Sequence, residues 1–177
     1  AVARDDYDAF ELLPRQEIQG QQIGWMVDSY EAFSDAIEKT RPLIVVFGDE
    51  TSNLTLEFAR KIAPCPHLNQ LAGAATFTYG SPTADEMARR MATHLQLTVY
   101  PTISVIAPRT DQLVEIYRLE GIFDAARIAS DLYRVLRQGN YWPADSAAPE
   151  ALPTHYLAYP GLGCTPEGLR RLGLTNQ

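Results

Sequence analysis

The stretch Leu97-Thr98-Val99-Tyr100-Pro101-Thr102-Ile103-Ser104-Val105-Ile106 constrains the fold of this chain more than any other. Proline has a fixed φ and no amide hydrogen, so Pro101 sits at the start of a strand and not in its paired interior. Its ring pushes Tyr100 into extended backbone, which ends any helix arriving from the N-terminal side. Thr102 to Ile106 then read as a short apolar strand, closed by Pro108.

A second apolar run, Leu43-Ile44-Val45-Val46-Phe47, lies between Pro42 and Gly48. A strand apolar on both faces belongs inside a sheet covered by helices. Around these two runs the rest falls into alternation. Ile23 to Val27 read as a first strand. Asp28 and Glu31 stand three apart, as in a capping box, ahead of a helix whose apolar face is Ala32, Phe33, Ala36 and Ile37. The polar turn Gly48–Asn53 leads into a helix from Leu54 to Ala63, stopped by Pro64 and Pro66. Ala74 to Tyr79 read as a strand. Thr83 and Glu86 form another capping box, opening a helix through His94. A tight turn at Arg109-Thr110-Asp111 leads to a strand over Leu113 to Leu119, hence an antiparallel hairpin after a parallel section. Gly121 follows. Asp124 caps a last amphipathic helix with the stripe Ile128, Leu132, Val135 and Leu136, and Gly139 suits its C-terminal turn.

This order, with an aliphatic-Tyr-Pro-Thr step before the hairpin, resembles the thioredoxin family over residues 22–138. The resemblance implies an α/β fold: a central mixed β-sheet flanked by helices, with a cis peptide at Tyr100-Pro101. Residues 1–21 read as an extended N-terminal arm. Residues 139–177 form a C-terminal extension rich in proline and aromatics, too apolar for a solvating linker and too proline-broken for a domain. Thr165-Pro166-Glu167 starts a short helix there, stopped at Gly173.

The resemblance departs where the family carries its chemistry. The Cys-x-x-Cys positions fall on Ser52-Asn53-Leu54-Thr55, the preceding Trp on Thr51 and the buried acid on Val46. A helix N-terminus acidifies a thiol into a nucleophilic thiolate; a hydroxyl ionises too weakly for the same field and forms no disulfide. No base is placed beside Ser52 by spacing, so a helix cap is its simplest role. No catalytic residue is assigned there. The resemblance instead implies a redox-inactive thioredoxin-like module for protein binding, chaperoning or assembly of a multi-subunit complex. Its groove would comprise Thr51, Ser52, Asn53, Thr55, Tyr100 and Pro101. Tyr141, Trp142, Tyr156 and Tyr159 supply aromatic anchors, either for a partner or as a cover for the domain itself.

Cys65 and Cys164 are the chain's two cysteines. Cys65 sits between Pro64 and Pro66, in what reads as a rigid exposed loop. Two readings stand: unrelated thiols, or a disulfide tying the tail to the domain in an oxidising compartment. The second carries an alternative function, a thiol–disulfide oxidoreductase or redox sensor using displaced cysteines. Two cysteines and three histidines are too sparse for a closed zinc site, and neither metal nor cofactor is expected. A net charge of −7 repels phosphate backbones and anionic lipid, which argues against nucleic acid, and no apolar run reaches membrane-spanning length. The first residue, Ala1, fits a processed export precursor and equally a chain trimmed of Met. A periplasmic or other extracytoplasmic setting is the expectation, with the cytoplasm as the alternative.

Overall fold

The computed structural model of the protein describes residues 23–49, 51–149 and 163–174. The expected arm, residues 1–21, lies outside the described residues, as do Tyr156 and Tyr159. Four strands form one sheet: β1 (Leu43–Phe47), β2 (Thr76–Gly80), β3 (Thr102–Ile106) and β4 (Glu115–Glu120). Their spatial order is β2-β1-β3-β4. β1 runs parallel to β2, and antiparallel to β3, which forms the antiparallel hairpin with β4. All five residues of β1 are buried, as expected of a central strand.

The two-residue period of β1 divides the core. Ile44 and Val46 face a larger apolar cluster with Phe58, Ile62, Phe77, Ile103, Ile128 and Leu132. Leu43, Val45 and Phe47 face a smaller one with Ala32, Ala36, Met91 and Ile106. The helices α1 (Ser29–Glu38) and α4 (Glu86–His94) cover the second face. The first face is covered by α2 (Asn53–Glu57) with its π-helical continuation (Phe58–Ile62), by the short α3 (Pro66–Asn69), and by α5 (Ala125–Gln138). The terminal helix α6 (Pro166–Arg171) adds Leu169 to the same cluster.

Several local expectations are corrected. The segment Ile23–Val27 is no strand among the described residues: only Met26 bridges to Thr78. The Met26 N–H donates to the Phe77 carbonyl at 3.0 Å and the Tyr79 N–H to the Met26 carbonyl at 3.3 Å, while the Trp25 ring stacks on Tyr79 at 4.4 Å and lies edge-on to Phe77 at 5.4 Å. The helix expected over Leu54–Ala63 widens to π geometry from Phe58, and the Ala63 N–H donates to the Phe58 carbonyl at 2.9 Å. Pro64 and Pro66 remove the N–H donors that would continue an α ladder. The loop expected to expose Cys65 is a buried helix start, with Pro66 in the first turn of α3.

Thr83 does not cap α4; Asp85 does, its Oδ1 accepting the Ala88 N–H at 3.1 Å. Asp85 Oδ2 also accepts the Ser29 N–H at 3.0 Å, so one carboxylate joins the starts of α1 and α4. Burial pushes the Asp85 pKa up, but the N–H bonds from Ser29 and Ala88 outweigh it and hold the carboxyl below its ordinary value. Asp28 and Asp124 cap α1 and α5 as the sequence predicts. Gly139 has φ −85°, so it is not the left-handed residue; Asn140, with φ 63°, is. Gly139 is needed for space, since a Cβ there would lie 2.7 Å from the Tyr141 ring.

Candidate functional site

Two places compete for the chemistry, and the first is the turn after β1. Phe47 pairs with Thr102, which sets this turn and the Tyr100-Pro101 step at one end of the sheet. The Tyr100-Pro101 peptide is cis. Thr51 donates its N–H and its hydroxyl to Asp49 Oδ1, at 2.9 and 2.8 Å. These bonds, the backbone one first, hold the Asp49 carboxyl below its ordinary pKa. Thr55 Oγ1 accepts the Asp49 N–H at 3.1 Å. Ser52 occupies the N-cap position of α2, but its side chain makes no capping hydrogen bond. Asn53 and Leu54 are exposed, as is Val99 beside Tyr100. Val46 is buried in the larger apolar cluster. The arrangement is a hydroxyl-lined, partly apolar ledge.

The second place lies at the far end of the helix that starts from that turn. Cys65 and Cys164 are joined as a disulfide, with Cα atoms 5.6 Å apart and a sequence separation of 99. Both residues are buried, at 1% and 0% exposure. Cys65 is the N-cap of α3, and Cys164 precedes Thr165, whose hydroxyl caps α6 by accepting the Gly168 N–H at 3.2 Å.

The backbone around the bond is matched group for group. The Lys61 carbonyl has lost its helical donors: the Cys65 N–H turns to Ile62 at 3.1 Å, and the next residue on, Pro66, has no N–H. The Gly163 N–H takes that place, donating to Lys61 at 2.9 Å. The Ala125 and Ala126 amides, orphaned at the start of α5, donate to the carbonyls of Gly163 (2.8 Å) and Cys164 (3.1 Å). Asp124 Oδ1 accepts the Arg127 N–H at 2.9 Å and completes that helix start.

His67 lies buried in α3 at 6% exposure, and its Nδ1 has no hydrogen-bond partner among the described residues. Burial holds the His67 pKa below its ordinary value, against the opposing charge of Asp124. Tyr141 and Trp142 are half-buried against the end of α5. Both donate their N–H groups to the Leu136 carbonyl, at 2.8 and 3.3 Å, and Trp142 meets the Tyr133 ring edge-on at 5.0 Å.

The expectation of a redox-inactive module is thereby corrected. It rested on Ser52 and Thr55, whereas the chain's sulfur chemistry lies in a Cys65–Cys164 bond held between the end of the helical segment that follows β1 and the C-terminal extension. Sequence reasoning missed Gly163, the Lys61 carbonyl and the start of α5. The signal that could have found them was a glycine directly before Cys164 and a helix start directly after it.

No family model and no curated protein matches the chain. Among solved structures it is similar to a DsbH oxidoreductase at 11% identity, with TM-score 0.54, over 70% of this chain and 99% of that one. It is similar to a thioredoxin from Thermus thermophilus at 20% identity, with TM-score 0.52, over 68% and 88%. The oxidised C-terminal domain of Neisseria meningitidis DsbD aligns at 16% identity, with TM-score 0.51, over 63% and 98%. At such identities these likenesses establish the fold.

Proposed function

We propose that this chain, a thioredoxin-like fold with hydroxyls where the family carries its thiols, is a redox-responsive protein that works through Cys65 and Cys164. The disulfide itself carries the reading. Its chemistry is thiol–disulfide exchange with a dithiol. One thiolate of the dithiol attacks one of the two sulfurs, forming a mixed disulfide, and the other cysteine leaves as a thiolate and takes up a proton. The second thiol of the reductant then attacks the mixed disulfide and frees the remaining cysteine. Two electrons pass to the protein, and the reductant ends as its own disulfide.

Both sulfurs are buried, so attack follows an opening of the 163–174 segment. That gating favours a redox-set state over rapid turnover. Opening breaks the three backbone bonds at Lys61, Ala125 and Ala126, and so frees the end of the helical segment that begins at the 51–55 turn. In this reading a protein partner engages the ledge of Thr51, Ser52, Asn53, Thr55, Tyr100 and Pro101 and senses whether the segment is fastened. A stable disulfide in a chain with two cysteines fits an oxidising, extracytoplasmic compartment.

The test is equilibration of native protein in a series of dithiol/disulfide buffers, with alkylation and mass measurement counting free thiols. A single two-thiol transition without denaturant is expected. A bond that opens only after unfolding makes it a static staple and overturns the reading.

A further inference from the structure

The groups facing Gly163 and Cys164 read a main chain more closely than they read side chains. One acceptor (Lys61 O) and two donors (Ala125 N and Ala126 N) meet one N–H and two consecutive carbonyls. The first of the two seated residues has no room for a side chain. A Cβ on Gly163 would overlap Ile62 Cγ1 and lie 3.3 Å from the Lys61 carbonyl. Ile62 is wholly buried and has nowhere to retreat. The second residue places its sulfur on Cys65. Once residues 163–164 leave, the Ala125 and Ala126 N–H groups lose their acceptors and the Lys61 carbonyl keeps only the Cys65 thiol, 3.4 Å away, and leaving the two donors unmet is costly.

We infer that this site selects its redox partner by a Gly-Cys step, and that residues 163–164 occupy it as an internal stand-in for a protein disulfide whose cysteine follows a glycine. The inference rests on the reading above that the bond exchanges. In the reduced protein the Cys65 thiolate attacks the sulfur of the partner's glycine-preceded cysteine. A Cys65–partner bond forms, the partner's disulfide breaks, and its other cysteine leaves as a thiolate and is protonated. As the chain's own segment returns, the Cys164 thiolate attacks Cys65 Sγ, the Cys65–Cys164 bond re-forms, and the partner's first cysteine departs. Two electrons have moved from the protein's dithiol to the partner's disulfide.

The experiment uses the full chain as Cys164→Ser, with Cys65 reduced. It meets short peptides containing Gly-Cys or Ala-Cys, each activated as a mixed disulfide with thionitrobenzoate, and coloured leaving group is followed. The Gly-Cys peptide should react about tenfold faster than Ala-Cys, since the misfit falls on a buried wall. Gly163→Ala/Cys164→Ser, whose own segment fits badly, should speed the Gly-Cys peptide further. Equal rates for the two peptides overturn the inference. Should Cys164→Ser fail to fold, Gly163→Ala alone decides the matter in the dithiol buffer series. A shift of about tenfold toward the reduced form supports the site's glycine selectivity, and an unmoved midpoint overturns it. Failure of the wild-type buffer titration removes the proposed function; a normal wild-type titration with indifferent peptides removes only this inference.

Discussion

Gly139 and His67 each sit where one side chain decides a local balance. Adding a methyl at Gly139 sets a Cβ 2.7 Å from the Tyr141 ring, so Gly139→Ala forces that ring off the end of α5. Gly139 is itself exposed and the ring only half-buried, so the cost is about 1 kcal/mol, the low end for overpacking, read as a lower urea midpoint with an unchanged slope. His67 gives a pH signature. Its pKa is depressed in the folded protein, so the unfolded chain binds the extra proton. The stability it contributes is therefore complete above the unfolded-state pKa, about 6.5, and falls as pH drops below that value. Denaturation midpoints should drop between pH 7.5 and pH 5.5 in the wild type and drop less in His67→Gln; parallel losses in both would remove His67 as the cause. Neither feature is legible in the sequence. There Gly139 reads as the residue that ends the last long helix, and His67 falls just past what reads as an exposed loop at Cys65. The Tyr141 ring beside Gly139 decides the first and burial the second, and spacing alone reports neither.

Helix starts show what sequence reports well and where it slips. Asp28, Asp124 and Thr165 are legible as caps because an oxygen-bearing side chain before an apolar stripe has one economical use there. At α4 the sequence points to Thr83, and the cap is Asp85, two residues on. The tertiary bond from the Ser29 N–H favours Asp85, 56 positions away in sequence. Asp85→Ala should cost about 2 kcal/mol, more than a lone cap, because two helices lose an acceptor at once, whereas Thr83→Ala should stay within about 0.5 kcal/mol. Equal losses from thermal melts of the two variants would return the cap to Thr83. The strands are the most legible elements. β1 is an unbroken apolar run between Pro42 and Gly48, and β3, with Thr102 and Ser104 among its aliphatic residues, is marked by Pro101 ahead of it and Pro108 behind. The first segment is only partly legible, because Ile23–Val27 has the composition of a strand while it meets β2 through the single Met26 bridge and the Trp25 ring.

For the whole molecule the governing feature is the covalent loop between Cys65 and Cys164. Their pairing is open in the sequence, since nothing in it sets a distance between residues 99 positions apart. Closing such a loop restricts the unfolded chain by up to about 4–5 kcal/mol in the entropy model. Reduction, or Cys65→Ser/Cys164→Ser, should therefore lower the melting temperature by many degrees; a change of only a degree or two would mean that the tail holds by packing alone. The same loop decides how the molecule bears tension. Pulled from its two ends in the oxidised state, the chain transmits force through residues up to 65 and from 164 onward, while α3, β2, α4, β3, β4 and α5 lie outside that covalent route. Of the sheet, only β1 lies on the route, and it is paired on both sides, so rupture must shear it from β2 and β3 together. Reduction puts the hidden length in line, lengthening the stretched chain by about 330–360 Å, a step visible in a single-molecule extension trace.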